Sequence, residues 1–126
     1  MLSFSSSLGA DNEAFAIFVS EKYDFRDKRN ILPSSTSQKI RSFLNTLKSK
    51  KSKEEITSFD ISEKKKCFII KIKNKFESYA PQESGGSFFS YITKFKDIKN
   101  VDLYLDSCNL ENEKLIDFFP QFIFGL

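Results

Sequence analysis

The sequence predicts an α/β fold: a mixed, mostly parallel β-sheet flanked by helices. The apolar run Cys67–Ile72 and the alternating segment Val101–Leu105 both have the pattern of β-strands. Between them, residues 81–95 carry apolar side chains at helical spacing. A helix that joins two strands of one sheet usually connects them in parallel orientation through a right-handed crossover. This strand–helix–strand unit is therefore the expected centre of the fold.

Composition fits one folded domain spanning residues 1–126. Of the 126 residues, 40% are hydrophobic and 15% aromatic, which is enough to build a buried core. The two cysteines, Cys67 and Cys108, are too few for a disulfide framework and fit buried, reduced thiols. No apolar stretch reaches the roughly 20 residues that a membrane span needs, and the N-terminus lacks the features of a signal peptide. We therefore expect a cytoplasmic protein.

The N-terminal third contains two predicted strands. Met1–Ser7 alternates apolar and polar residues, whereas Ala14–Val19 is apolar on both faces and predicts an interior strand. Because only the turn Gly9–Asn12 separates them, we expect these strands to be neighbours in the sheet. The polar segment Ser20–Ser35 has no clear period and predicts a solvated loop.

The next helix is predicted to be amphipathic, with Thr36 or Ser37 as its N-cap. The run Lys48–Lys53 follows and fits a solvated helix end, where positive charge suits the negative pole of the helix dipole. A phosphate-binding patch is the alternative interpretation of this run. The core-facing stripe has the spacing i, i+3, i+4, i+7 and consists of Ile40, Phe43, Leu44 and Leu47.

A hairpin is predicted to follow. Glu55–Ile61 has the pattern of a third strand, and Ser62–Lys66 is a charged turn. The connection is so short that Cys67–Ile72 is expected to run antiparallel to the preceding strand. The loop Asn74–Ala80 then leads to the second helix.

Two glycines distinguish the second helix. Pro81 suits its first turn, where a missing N–H costs nothing. Gly85 and Gly86 each cost about 1 kcal/mol relative to alanine inside a helix, so we expect them to permit close packing against a neighbouring strand. A phosphate cradle at the helix N-terminus is the alternative. The predicted apolar stripe is Phe88, Ile92 and Phe95, with Phe89 beside it.

The C-terminus is unusually apolar. Leu110–Leu126 predicts a last helix, which Pro120 should kink or delay. Such an end indicates either a surface that meets a partner or a chain cut from a longer one. We expect the N-terminal part of a longer chain, with Phe118, Phe122 and Phe124 exposed in the isolated domain.

The sequence offers no catalytic constellation. It contains no histidine, which excludes a histidine base or histidine metal ligand, and it has no P-loop and no dinucleotide fingerprint. Asp102 and Asp106 flank the end of a predicted strand, where α/β sites often lie, but we interpret them as strand-edge and turn residues. We therefore predict no catalytic, cofactor-binding or metal-binding residue in this chain.

Charge argues against a dedicated nucleic-acid-binding protein. The net charge is +3, and only three of the 20 basic residues are arginine. Arginine recognises phosphate in a bidentate manner that lysine does not match.

Several segments together resemble the N-terminal domain of the leucyl aminopeptidase (cytosol aminopeptidase) family of metallopeptidases. Phe15–Lys22 is similar to an early strand that runs into a charged turn. Cys67–Ile72 is similar to a later apolar strand, and Glu83–Ser87 resembles a helix with a Gly-Gly pair. Val101–Leu105 and the apolar last helix follow in the same order. The lysine-rich Lys71–Lys75 departs from the family, which has glycines after that strand.

The resemblance implies a macro-domain-like, non-catalytic domain that supports assembly of a hexamer and access to the active site. It also implies a separate C-terminal catalytic domain that holds two divalent ions, zinc or manganese, and releases N-terminal amino acids from peptides. In some members the domain contributes to DNA binding. Two alternatives remain open: a macro-like module that binds a nucleotide such as ADP-ribose, and a small nucleic-acid-associated protein.

Overall fold

The computed structural model describes residues 3–5, 13–25, 32–72, 80–104, 107 and 120–126. The predicted turn Gly9–Asn12, residues 74–79 of the predicted loop, and Asp106, Cys108 and Phe118 lie outside the described residues. Residues 120–125 are helical. The other elements are β1 (Ser3–Ser5), β2 (Ala14–Val19), α1 (Ser34–Ser49), β3 (Ile56–Ser62), β4 (Lys65–Lys71), α2 (Ala80–Ile92) and β5 (Asn100–Tyr104).

The strands form one sheet in the order β1-β5-β2-β4-β3. The pairs β1·β5, β5·β2 and β2·β4 are parallel, and only β3·β4 is antiparallel. The predicted α/β class, the mostly parallel sheet and the antiparallel hairpin are thereby confirmed.

The expected pairing of the first two strands is wrong. Val101 of β5 pairs with Phe4 of β1 on one side and with Ala14 of β2 on the other, so β5 separates them. The wholly buried residues 101–104 of β5 gain most from an interior position, which leaves the three-residue β1 at the edge. By the same arrangement β4 and β5 are parallel but not adjacent, because β2 lies between them.

The core on one face of the sheet is built from alternate strand residues and from α1. The apolar stripe of α1 is confirmed, since Ile40, Leu44 and Leu47 are buried and the ring of Phe43 stacks on Phe59 at 4.4 Å between centroids. The strand side chains in this cluster are Phe15, Ile17, Val19, Ile61, Cys67, Ile69 and Tyr104.

Two details near α1 differ from the sequence prediction. The segment after β2 is not a fully solvated loop, because Tyr23 and Phe25 are only 4% and 6% exposed and belong to the core cluster. Neither Thr36 nor Ser37 caps α1. The N-cap is Pro33, whose φ of −55° and ψ of 147° direct its carbonyl to the N–H of Ser37 without any side-chain cap.

The chain divides into two compact units, residues 1–72 with 98–109 and residues 73–97 with 110–126. In the second unit, α2 packs against the helical residues 120–125, and the rings of Phe88 and Phe122 lie 6.0 Å apart. A Cβ on Gly85 would overlap the carbonyl oxygen of Phe122. The close approach predicted for Gly85 therefore exists, but its neighbour is a helical segment and not a strand.

Exposure at the C-terminus is only partly as expected. Phe124 is 77% exposed, as predicted, whereas Phe122 is fully buried. Phe122 is covered because its ring packs beside Phe88 in the same unit.

A candidate binding groove

A groove of about 480 Å³ lies between the segment that follows β2 and the C-terminal end of α1. It falls at the carboxyl end of a central strand of a mostly parallel sheet, where α/β proteins commonly bind ligands. Its walls are formed by Glu21, Lys22, Tyr23, Asp24, Leu47, Lys48, Lys51 and Ser52.

Tyr23 anchors one wall of the groove. Its hydroxyl lies 2.9 Å from the carbonyl oxygen of Glu54 and 3.2 Å from that of Ser52, and can donate a hydrogen bond to either. The ammonium of Lys71 lies 4.5 Å from the centre of the Tyr23 ring, within the range of a cation–π interaction. Tyr23 thus ties the segment after β2 to the segment after α1.

Ser20 holds the same segment in a tight turn. Its side-chain oxygen accepts hydrogen bonds from the N–H groups of Lys22 and Asp24, and its carbonyl accepts from the N–H of Tyr23. Tyr23 adopts a φ of 62° within this turn, a conformation that residues other than glycine seldom adopt. The turn therefore buries the Tyr23 ring at a cost in backbone conformation.

The opposite wall is the C-terminal end of α1. The N–H of Ser52 donates to the carbonyl of Leu47, and the N–H of Lys51 donates to that of Lys48, which is the Schellman pattern of hydrogen bonds. The left-handed position of this motif usually belongs to glycine, but here Lys51 occupies it with a φ of 52°. Tyr23 and Lys51 are the two non-glycine residues with positive φ in the described part of the chain, and both line the groove.

Charges of both signs surround the groove. Lys48 and Asp24 form an ion pair with 3.1 Å between Nζ and Oδ1. A second pocket of about 180 Å³ shares these two residues and Tyr23 with the groove. Arg41 borders that pocket, and its guanidinium lies 5.4 Å from the centre of the Phe25 ring.

The lysine run Lys48–Lys53 is a solvated helix end, as predicted. Its four lysines are exposed, and α1 ends at Ser49. Glu54 and Glu55 follow directly and are also exposed. The run is therefore not a continuous basic surface.

Other residues that the sequence singled out have structural surroundings. Asp102 is buried in the middle of β5 and is not at its end. Burial raises the pKa of the Cys67 thiol well above its usual range, so this thiol is a poor nucleophile. Gly85 faces the Phe122 carbonyl, so it serves helix packing.

Within the described ranges, no three histidine, cysteine or acidic side chains are grouped so as to hold a metal ion. Among the same residues, no helix combines the length and apolar character needed to cross a bilayer.

The groove was not predictable from the sequence. Its lysines form a run that is visible in the sequence, but the left-handed conformation of Lys51 and Tyr23 has no sequence signal, because neither residue is glycine or asparagine. The ordering of a polar segment around Tyr23 depends on groups contributed by Ser52, Glu54 and Lys71, which are distant along the chain.

The chain was compared with protein-family models, with curated proteins and with solved structures, and no significant match was found in any of the three.

Proposed function

We propose that this chain is a non-catalytic domain of a leucyl-aminopeptidase-like two-metal peptidase, and that it supports assembly of a cytoplasmic homo-oligomer and access to its active site. The parent enzyme releases N-terminal amino acids from peptides by means of a separate C-terminal domain. Two zinc or manganese ions in that domain activate water and stabilise the developing charge.

The observation that carries the proposal is a set of exposed apolar side chains in the second compact unit. Phe89 of α2 is 37% exposed, and Ile123 and Phe124 are 49% and 77% exposed. Large apolar side chains at a surface are typical of protein–protein contacts, where they contribute most when they become fully buried. The mixed α/β sheet of the first unit also supports the resemblance, at the level of fold class.

The assembly role is tested by light scattering of the purified chain over a range of concentrations. We expect an oligomer that dissociates when Ile123 and Phe124 are both replaced by serine. Replacement of the exposed Lys94 and Lys96 by serine is the matched control, because both lie in the same unit. A wild-type chain that stays monomeric at every concentration contradicts the assembly role.

The peptidase connection is tested by the native mass in the source cells, measured with an antibody against this chain. A band far above 14.6 kDa that co-purifies with metal-dependent aminopeptidase activity is expected. A band at 14.6 kDa contradicts the proposal that this chain is joined to a catalytic domain.

A nucleotide-binding module is the second candidate, favoured by the position of the groove at the carboxyl end of β2. Calorimetric titration with ADP-ribose tests it, and the absence of heat above that of dilution counts against it.

A further inference from the structure

Two lysine ammonium groups at the groove have no partner among the described residues. Asp24 is paired with Lys48, and Glu21 also has an interaction partner. Within the described part of the chain, the side chains of Lys22 and Lys51 have no hydrogen-bond or ion-pair partner. Three lysines and two carboxylates line the groove, so its lining has a net positive charge.

The end of α1 does not oppose a negative ligand as strongly as a bare helix C-terminus. The carbonyls of Thr46, Leu47 and Lys48 accept hydrogen bonds from the N–H groups of residues 50–52. These carbonyls carry the negative partial charge of the helix dipole, and the N–H groups bonded to them partly offset that charge.

The groove also offers apolar surface. Tyr23 and Leu47 line it with the exposed edges of side chains that are otherwise buried, 4% and 7% exposed, and the Tyr23 hydroxyl is directed to the Ser52 and Glu54 carbonyls. A volume of about 480 Å³ is within the range of small-molecule sites. A ligand with a compact apolar body and one anionic group matches this combination.

We propose that the groove binds a small organic anion, a carboxylate or a phosphate ester, between the ammonium groups of Lys22 and Lys51. The apolar body of the ligand packs on Leu47 and Tyr23. The inference rests on the groove alone and not on the aminopeptidase proposal, since it concerns the first compact unit only.

A nucleic acid fits the groove less well than a small anion. An extended polyanion that follows the lysines also meets Glu54 and Glu55, which are exposed directly after Lys53. Repulsion by these carboxylates opposes a long chain of phosphates more than a single anionic group, because the long chain meets more of them.

The experiment is a titration of the ¹⁵N-labelled chain, followed by amide chemical shifts, with phenyl phosphate, phenylacetate and benzyl alcohol as probes. The two anions distinguish a phosphate site from a carboxylate site, and the alcohol reports binding by the ring alone. A short DNA duplex is the fourth probe. We expect saturable shifts at residues 20–24 and 47–52 with at least one of the anions and none with the alcohol.

Variants test which lysines bind the anion. Lys51→Gly removes the ammonium and suits the left-handed backbone, so we expect the variant to fold, and its denaturation curve separates a loss of binding from unfolding. We expect about fivefold weaker binding in Lys51→Gly and in Lys22→Gln, and no change in the control Lys94→Gln. The proposal is overturned if neither anion binds, or if only the duplex gives saturable shifts. It is also overturned if benzyl alcohol binds as tightly as the anions, or if both groove variants bind the anion as tightly as the wild type.

Discussion

The backbone N–H of Phe18 donates a hydrogen bond to the side-chain oxygen of Ser107, 2.8 Å away. β5 ends at Tyr104, which pairs with Ile17, so Phe18 and Val19 of β2 lie beyond the last described pair with this neighbour. The Ser107 hydroxyl, which accepts from this N–H beyond the described pairs, donates in turn to the carbonyl of Tyr104 at 2.6 Å. Ser107 and Phe18 are both fully buried, so water cannot replace this bond.

Replacement of Ser107 by alanine should therefore destabilise the fold. The buried N–H of Phe18 loses its acceptor, which costs about 1–3 kcal/mol. Chemical denaturation measures the loss, and Ser42→Ala, at an exposed position of α1, is the control and should change stability by less than about 0.5 kcal/mol. Equal stability of the two variants would show that the Ser107 bond is dispensable.

Two adjacent glycines of α2 should respond to alanine with opposite signs. A Cβ at position 85 overlaps the Phe122 carbonyl, whereas one at position 86 meets only the Gly125 carbonyl at an ordinary 3.5 Å. Both substitutions gain about 1 kcal/mol of helix propensity. We expect Gly86→Ala to raise the melting temperature and Gly85→Ala to lower it, because the helix contact must open.

Each glycine variant is the control for the other, since the residue type, the helix and the propensity gain are shared. A rise in melting temperature for both variants would contradict the close approach of Gly85 to Phe122.

Stability should depend on the ionisation of Glu13. Its carboxylate accepts hydrogen bonds from the N–H groups of Lys99 and Asn100, at 2.6 and 3.2 Å. The Lys99 N–H is the largest cause that lowers the pKa of Glu13 below its ordinary value of 4.5, and the Asn100 N–H acts in the same direction. A lowered folded-state pKa adds stability above the unfolded-state pKa, and that stability is lost as the pH falls through the folded value.

The measurement is the melting temperature of wild type and Glu13→Gln from pH 7 to pH 3. We expect the wild type to be the more stable at pH 7 and the difference to shrink below about pH 4.5. Glu63→Gln, in the exposed β3–β4 turn, is the control. A difference that stays constant over this range would show that the carboxylate charge is not what matters.

The end of α1 should tolerate glycine better than its native lysine. Lys51 has a φ of 52°, which costs about 1–2 kcal/mol for a residue with a side chain. Lys51→Gly relieves this cost but makes the unfolded chain more flexible, so we expect a net gain of about 0.5 kcal/mol in the free energy of unfolding. Lys50→Gly, at a right-handed C-cap position, is the matched control and should destabilise.

A loss of stability in Lys51→Gly would mean that the lysine side chain stabilises α1 by an amount greater than its backbone cost. Denaturant unfolding of the wild type, Lys51→Gly and Lys50→Gly under the same conditions measures whether each substitution raises or lowers the free energy of unfolding.

The amino-acid sequence by itself determined the α/β class, because apolar periodicity is a local property. The alternation in β3, the uninterrupted apolar runs of β2 and β4, and the stripe Ile40–Leu47 each identify an element without knowledge of its neighbours. The antiparallel β3–β4 hairpin was also predictable, because its connection is too short for another arrangement.

Tertiary structure alone decided which strands are adjacent and where a groove forms. β5 lies between β1 and β2 because burying its apolar side chains stabilises the sheet more than pairing β1 with β2, which are close along the chain. The periodicity of each segment does not show which of these two arrangements is more stable. The groove exists because Tyr23 reaches the carbonyls of Ser52 and Glu54, about 30 residues further along the chain. These distant contacts compensate the cost of the left-handed backbone at Tyr23, whereas the left-handed backbone at Lys51 is held by local hydrogen bonds at the end of α1.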